Sequence, residues 1–184
     1  MDTRDQQRLA ALLERIGRIQ AADEWSDALN PAQRAALAYL ARANRFSRAP
    51  SQVADYLAAT RGTVSQTLKA LARKGLVSET RSAQDRRSIA YSLTEAGRAA
   101  CARQSALDEA IGGLEPAEAA VLANGLEGLV KDALLRRGMR AFGVCRTCRY
   151  HEARPLGGYC RLLHEELAPV ECQQICHEHD ASAA

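Results

Sequence analysis

The chain has 184 residues, of which 47% are apolar, 26% charged and only 4% aromatic, with a formal net charge of +3. That size excludes more than one ordinary domain with an appendage, and a core so poor in rings is built from Leu, Ala, Val and Ile, which suits packed helices. No stretch approaches the roughly 18 apolar residues of a membrane span, and the polar flanks of residues 9–13 exclude a signal peptide, so the expectation is a cytoplasmic protein with reduced thiols.

Residues 4–20 predict a helix, because Leu9, Leu12, Leu13, Ile16 and Ile19 recur at intervals of three and four. The dipeptide Asn30-Pro31 supplies an N-cap and a first helical residue for a second helix over 31–46. Pro50 then breaks the chain, and Ser51 is expected to cap a short helix with Val53, Ala54 and Leu57 facing inward. A further helix over about 62–75 has an apolar face of Val64, Leu68 and Leu71 and ends at Gly75, a C′ glycine. Its other face is polar: Arg61, Thr63, Ser65, Gln66, Lys69 and Arg73. Residues 77–94 alternate apolar and polar side chains on either side of "SAQDRR", the pattern of a two-stranded hairpin. Helices are predicted over 95–112 and 116–138, the second carrying Leu122, Leu126, Leu129, Val130 and Leu134.

A short helix, a tight turn, a helix with a polar outer face and then a hairpin form the layout of a winged helix-turn-helix. The major groove of DNA admits a helix whose exposed side chains offer donors and acceptors to base edges, as Arg61, Thr63, Ser65, Gln66 and Lys69 do. The hairpin tip carries Arg86 and Arg87, suited to phosphates or to a narrow minor groove. Residues 61–87 hold seven basic residues (Arg61, Lys69, Arg73, Lys74, Arg81, Arg86 and Arg87) against Glu79 and Asp85. Basic charge confined to one element is the footprint of nucleic-acid binding.

"ATRGTVSQTLKALARKGLV" followed by "DRRSIAYSLTEAGRAA" resembles the MarR family of winged-helix regulators, over roughly residues 5–138. The resemblance implies a mainly α fold in which long N- and C-terminal helices make an obligate homodimer. It implies two recognition helices reading a pseudo-palindromic operator in double-stranded DNA, and most often repression. By position, Asp85 would orient a wing arginine and Arg87 would enter the minor groove.

Residues 139–184 form a tail that many members of that family lack, holding Cys145, Cys148, Cys160, Cys172 and Cys176 in the spacing C-x2-C-x11-C-x11-C-x3-C. "GVCRTC" puts two thiols on one turn, "PLGG" reverses the chain toward them, and a last helix from Pro169 is expected to place Cys172 and Cys176 on one face. Crowded thiols in a reducing compartment point to a metal centre. Structural zinc usually comes as two short knuckles, of which the tail has one, with His177 and His179 as further zinc donors. Iron–sulfur clusters take four cysteine thiolates, and Arg146 and Arg149 stand beside the pair to donate to sulfur. The spacing also resembles cysteine extensions of cluster-bearing MarR-like regulators. The ligand set read here is Cys145, Cys148, Cys160 and Cys176, with Cys172 as an alternative ligand or resolving thiol; the cofactor is an iron–sulfur cluster, with Zn2+ or a metal-free thiol switch as alternatives. His151 and His164 read as surface residues, and Cys101 as a small buried hydrophobe.

The function expected is therefore a homodimeric DNA-binding regulator whose affinity follows the state of the tail, in response to iron or redox conditions. One alternative keeps the regulator with a structural zinc and a small-molecule effector. The alternative of another class is a thiol-redox enzyme using Cys145 and Cys148, but no strand–helix setting precedes that pair, and no catalytic triad or phosphate loop occurs elsewhere.

Overall fold

The computed structural model describes residues 2–24, 29–81, 89–102, 105–140 and 142–181. Helix α1 (Thr3–Glu24) is followed by α2 (Pro31–Arg42), α3 (Pro50–Tyr56) and α4 (Arg61–Arg73). Strands β1 (Val77–Arg81) and β2 (Ile89–Leu93) pair antiparallel, with Val77 opposite Leu93 and Arg81 opposite Ile89. Helices α5 (Glu95–Cys101), α6 (Ala106–Gly112) and α7 (Pro116–Arg136) follow.

The start of α2 is written in local chemistry. The Asn30 side chain accepts the Gln33 N–H at 2.9 Å, the Gln33 side chain accepts the Asn30 N–H at 3.4 Å, and Pro31 fills the first turn. The end of α2 comes earlier than periodicity suggests. Ala43 turns extended and forms a parallel bridge with Ile175 of the tail, and Asn44 caps a 3-10 turn over Arg45–Ser47. Ser51 does not cap α3. Pro50 occupies the first turn, and the Gln52 side chain reaches back to accept the Ala49 N–H at 2.8 Å.

The core is the inward stripe of each helix: Leu37, Tyr39 and Leu40 of α2, Val53 and Ala54 of α3, Val64, Leu68 and Leu71 of α4, closed by Val77 and Tyr91 of the hairpin. Burying such side chains stabilises the fold by about 1.5–3 kcal/mol each. Cys101 only half-fills the place expected of it, packing at the core's margin, where burial raises its thiol pKa.

The helix predicted over 95–112 is two helices. Ser105 and Asp108 form a reciprocal cap with 3.1 and 2.9 Å bonds, and that cap starts α6 afresh. Helix α7 stops at Arg136, where Gly138 adopts φ +66° and the Met139 N–H returns to the Leu134 carbonyl at 2.9 Å. None of the side chains of α7 is buried, although Val121, Leu122, Leu126, Leu129, Val130 and Leu135 lie along it.

The tail is a small β-rich unit. Strand β3 (Gly143–Val144) pairs with β7 (Ile175–Cys176), and β4 (His151–Arg154), β5 (Gly157–Cys160) and β6 (Glu165–Leu167) make a three-stranded antiparallel sheet. Helix α8 runs only over Pro169–Cys172. The single helix expected to carry both Cys172 and Cys176 therefore does not form: after Gln173 the chain is drawn into pairing with β3, and Cys176 stands opposite Gly143.

Candidate nucleic-acid interface and thiol cluster

Helix α4 is anchored at both ends. The Thr60 hydroxyl accepts the Thr63 N–H at 3.1 Å and lies 2.8 Å from the Thr63 hydroxyl, so the Thr63 side chain takes part in the cap. At the far end Gly75, at φ +70°, lets its own N–H reach the Ala72 carbonyl and the Leu76 N–H reach the Leu71 carbonyl. Between these ends Arg61, Gln66, Lys69 and Arg73 are exposed, as is Thr63, while Ser65 is half-buried. Lys74 turns away from this face and donates to Gln33 Oε1 at 2.9 Å.

Arg48 braces the hairpin against α2. Its guanidinium donates to the Ala43 carbonyl at 2.9 and 3.1 Å and to Ser92 Oγ at 3.3 Å, and the Tyr91 N–H donates to the Arg48 carbonyl at 3.0 Å. On the hairpin, Glu79 accepts the Tyr91 hydroxyl at 2.8 Å and the Arg81 Nε–H at 3.0 Å, which holds its carboxyl below the usual range. Asp85, Arg86 and Arg87 lie outside the described residues.

In the tail the five cysteines form no disulfide and are buried. The 3-10 turn Cys145–Thr147 closes with the Cys148 N–H on the Cys145 carbonyl at 3.0 Å, bringing the C-x-x-C pair onto one bend. Pairing of β3 with β7 sets Cys176 beside Cys145, and β5 carries Cys160 to the same interior, where Cys145, Cys160, Cys172 and Cys176 pack with Leu167. Burial pushes the Cys145 thiol up to about 12, with repulsion from Cys176, Cys160, Cys148 and Cys172 adding to it in that order. Cys172 has partners of its own: its Sγ lies 3.4 Å from His151 Nε2 and donates to the Ala168 carbonyl at 3.5 Å. Gly158 makes room for that pair, since a Cβ there would collide with the His151 ring. Among the described residues, no three His, Cys, Asp or Glu side chains stand close enough as a group to hold a metal ion in this arrangement.

Histidines and arginines fall differently from the sequence reading. His151 is drawn to Cys172 rather than left in solvent, and His179 lies 3.0 Å from the Thr147 hydroxyl. His177 is half-buried against the α3 segment, with Nε2 3.3 Å from Asp55 Oδ2 and Nδ1 3.2 Å from Glu178 Oε1. Arg149 pairs with Asp180 at 3.3 Å.

The residues that join the tail to the rest of the chain carried no motif. The Asn44 N–H donates to the Ile175 carbonyl at 3.0 Å, and the His177 N–H donates to Ser47 Oγ at 2.9 Å. Arg45 pairs with Glu171, reaches Glu165 at 3.4 Å and donates to the Glu166 carbonyl at 2.7 Å. Phe142 packs edge-on against Tyr39, Tyr56 and His177. Only the bulk of these apolar and charged groups was visible beforehand.

Among curated proteins no sequence matches. Residues 29–97 match the winged helix DNA-binding domain family. The fold is similar to that of Streptococcus pneumoniae FabT in complex with DNA, with a TM-score of 0.55, 25% identity and coverage of 71% of this chain and 95% of that one. It is similar to S. aureus MepR in a DNA complex, with a TM-score of 0.53, 25% identity and coverage of 68% and 97%. It also shares the fold of the transcriptional regulator BldR from Sulfolobus solfataricus, with a TM-score of 0.55, 21% identity and coverage of 72% and 99%. Residues 29–97, built around a capped helix with an exposed polar face and a braced hairpin, thus have the winged helix fold and match the winged helix DNA-binding domain family.

Proposed function

We propose that this chain is a sequence-specific, homodimeric transcriptional regulator of the MarR type, whose hold on double-stranded DNA follows the state of a thiolate-bound metal centre in its tail. The observation that carries the DNA-binding half is α4: its apolar stripe is buried and the face holding Arg61, Gln66, Lys69 and Arg73 is free. That FabT and MepR are each described in complex with DNA supports it. Dimerisation is supported by the apolar residues along α1 and α7. Leu9, Leu12 and Ile19 are 53%, 47% and 43% exposed, and Val121 is 74% exposed, as a seam awaiting a second copy would be.

The donor chemistry of the tail suits a metal: unpaired cysteines are buried together, and the Asp180 N–H lies 3.5 Å from Cys148 Sγ, oriented to donate to it. Cys145, Cys148, Cys160 and Cys176 would hold the group, and Cys172, already engaged with His151, stands outside that set. The tail has one C-x-x-C pair followed by isolated cysteines, a spacing that suits a cluster held by four thiolates better than the two short knuckles of structural zinc. When bound, such a cluster supplies a redox-sensitive cross-link among four thiolates. Residues 165–177, which carry Cys176, grip residues 43–55 through Arg45, Asn44, Ser47 and Asp55, directly before the recognition helix. Differential restraint of that seam is the coupling between tail and DNA.

Protein purified without air should be coloured and contain iron and sulfide, and replacing Cys148 by Ala should change operator affinity. Metal-free wild-type protein that binds its operator normally, or equal affinity in the Cys148→Ala form, would sink the switch.

A further inference from the structure

We propose that Arg48 is the positioning residue that passes the docking of the tail on to the hairpin, through the single peptide unit, Ala43–Asn44, that tail and guanidinium hold from opposite edges. The relay rests on the coupling between tail and DNA proposed above, and it needs no particular occupant for the thiols.

The peptide unit is buried, with Ala43 0% and Asn44 1% exposed. On the tail side the Asn44 N–H donates to the Ile175 carbonyl at 3.0 Å, and Ala43 and Ile175 form a parallel bridge. On the other side the Ala43 carbonyl accepts the Arg48 Nε–H at 3.1 Å and an Nη2–H at 2.9 Å. The peptide bond is trans, so its N–H and C=O point in opposite directions within one plane, and a turn that follows one partner moves the other. Burial removes water as a substitute, so a departing Ile175 carbonyl leaves the Asn44 N–H unsatisfied unless that plane turns. The same guanidinium donates through Nη1 to Ser92 Oγ of β2 at 3.3 Å, and the Arg48 carbonyl accepts the Tyr91 N–H at 3.0 Å. Arg48 thus holds the tail-bound peptide and the hairpin at once. A planar guanidinium fork serves two fixed acceptors in this way, whereas a lysine ammonium is one point charge on a flexible stem. Strand β2 begins two residues after Arg87, one of the arginines that the sequence assigns to DNA.

A contiguous run of hydrogen bonds is a route, and coupling along it is measured by a double-mutant cycle. The cycle uses the full-length chain, read by amide exchange and by binding to a duplex that the wild-type protein has selected from random DNA. Arg45→Ala loosens the tail by removing the bonds to Glu171, Glu165 and the Glu166 carbonyl. Ser92→Ala cuts the relay at the hairpin and leaves Arg48 and Ala43 in place; Arg48→Lys cuts it at the guanidinium and keeps the charge. Ser92→Ala decides the matter if Arg48→Lys does not fold. The expected result is that Arg45→Ala speeds exchange over residues 89–93 and shifts duplex affinity, each by roughly threefold or more, and that both effects vanish when either cut is already present. A brace that merely stabilises the hairpin would add its own effect and leave that of Arg45→Ala undiminished. Such additivity with Ser92→Ala overturns the relay while the coupling of tail to DNA stands, and so does exchange over residues 89–93 that ignores Arg45→Ala. Faster exchange over residues 165–177 with unchanged duplex affinity overturns the coupling itself, and the part of Arg48 with it.

Discussion

Tyr91 ties the hairpin to the core through one ring and one hydroxyl. The side chain is buried, and the hydroxyl donates to Glu79 at 2.8 Å. Burial first, and the Glu79 carboxylate second, push its phenol from 10 up to about 12. Between those values the unfolded chain has released a proton that the folded chain keeps, so stability falls as pH rises through that window. Tyr39, buried beneath α3 with its hydroxyl on the Ser47 carbonyl at 2.6 Å, is raised in the same sense. Denaturant titrations just below pH 10 and near pH 12 should therefore show a loss of stability, and Tyr91→Phe should flatten part of it. An unchanged slope in the variant would mean that the hydroxyl does not couple to folding.

At the level of elements, α4 separates two kinds of contact. Lys69 is an exposed point charge beside the hairpin and close enough to Glu79 to lower its pKa. Lys69→Ala should weaken binding to all DNA sequences alike and reduce the salt dependence by about one phosphate contact, measured by titration at several salt concentrations. Gln66 carries an amide suited to an adenine edge, so Gln66→Ala should cost about 1–3 kcal/mol on the preferred operator and little on unrelated DNA. Helices α1 and α7 show the opposite design, with apolar side chains facing outward along both. Leu126→Glu should leave the helical content intact and shift the protein toward monomer in sedimentation, with loss of operator binding. A stable dimer in that variant would place the interface elsewhere.

Over the whole molecule, the tail is packed onto the winged helix, with Ile175 and Phe142 joining its core. Within the described residues, no helix is long and apolar enough to cross a membrane. Arg45 is the main polar clasp of the seam, stacking 4.3 Å over the Phe46 ring while holding Glu171 and the β6 segment. Arg45→Ala should raise amide exchange in residues 165–177 and 43–55 together and leave α7 unchanged. Exchange confined to the tail would show that the seam transmits nothing to the winged helix.

The sequence alone determined whatever rests on local chemistry. The Asn30-Pro31 start of α2, the buried stripe and free polar face of α4, the two strands of the hairpin and the gathering of thiols after Gly138 all follow from periodicity, caps and composition. The break at Ser105 was equally local, in a Ser-x-x-Asp cap that apolar spacing overrode in the reading. Only the tertiary structure decided that Cys176 lies in a strand opposite Gly143 rather than on a helix with Cys172, and that the tail grips residues 43–55. Those choices are made by partners some 130 positions apart, such as Ser47 and His177. Periodicity reports which face of an element is buried, and it carries no record of what buries it.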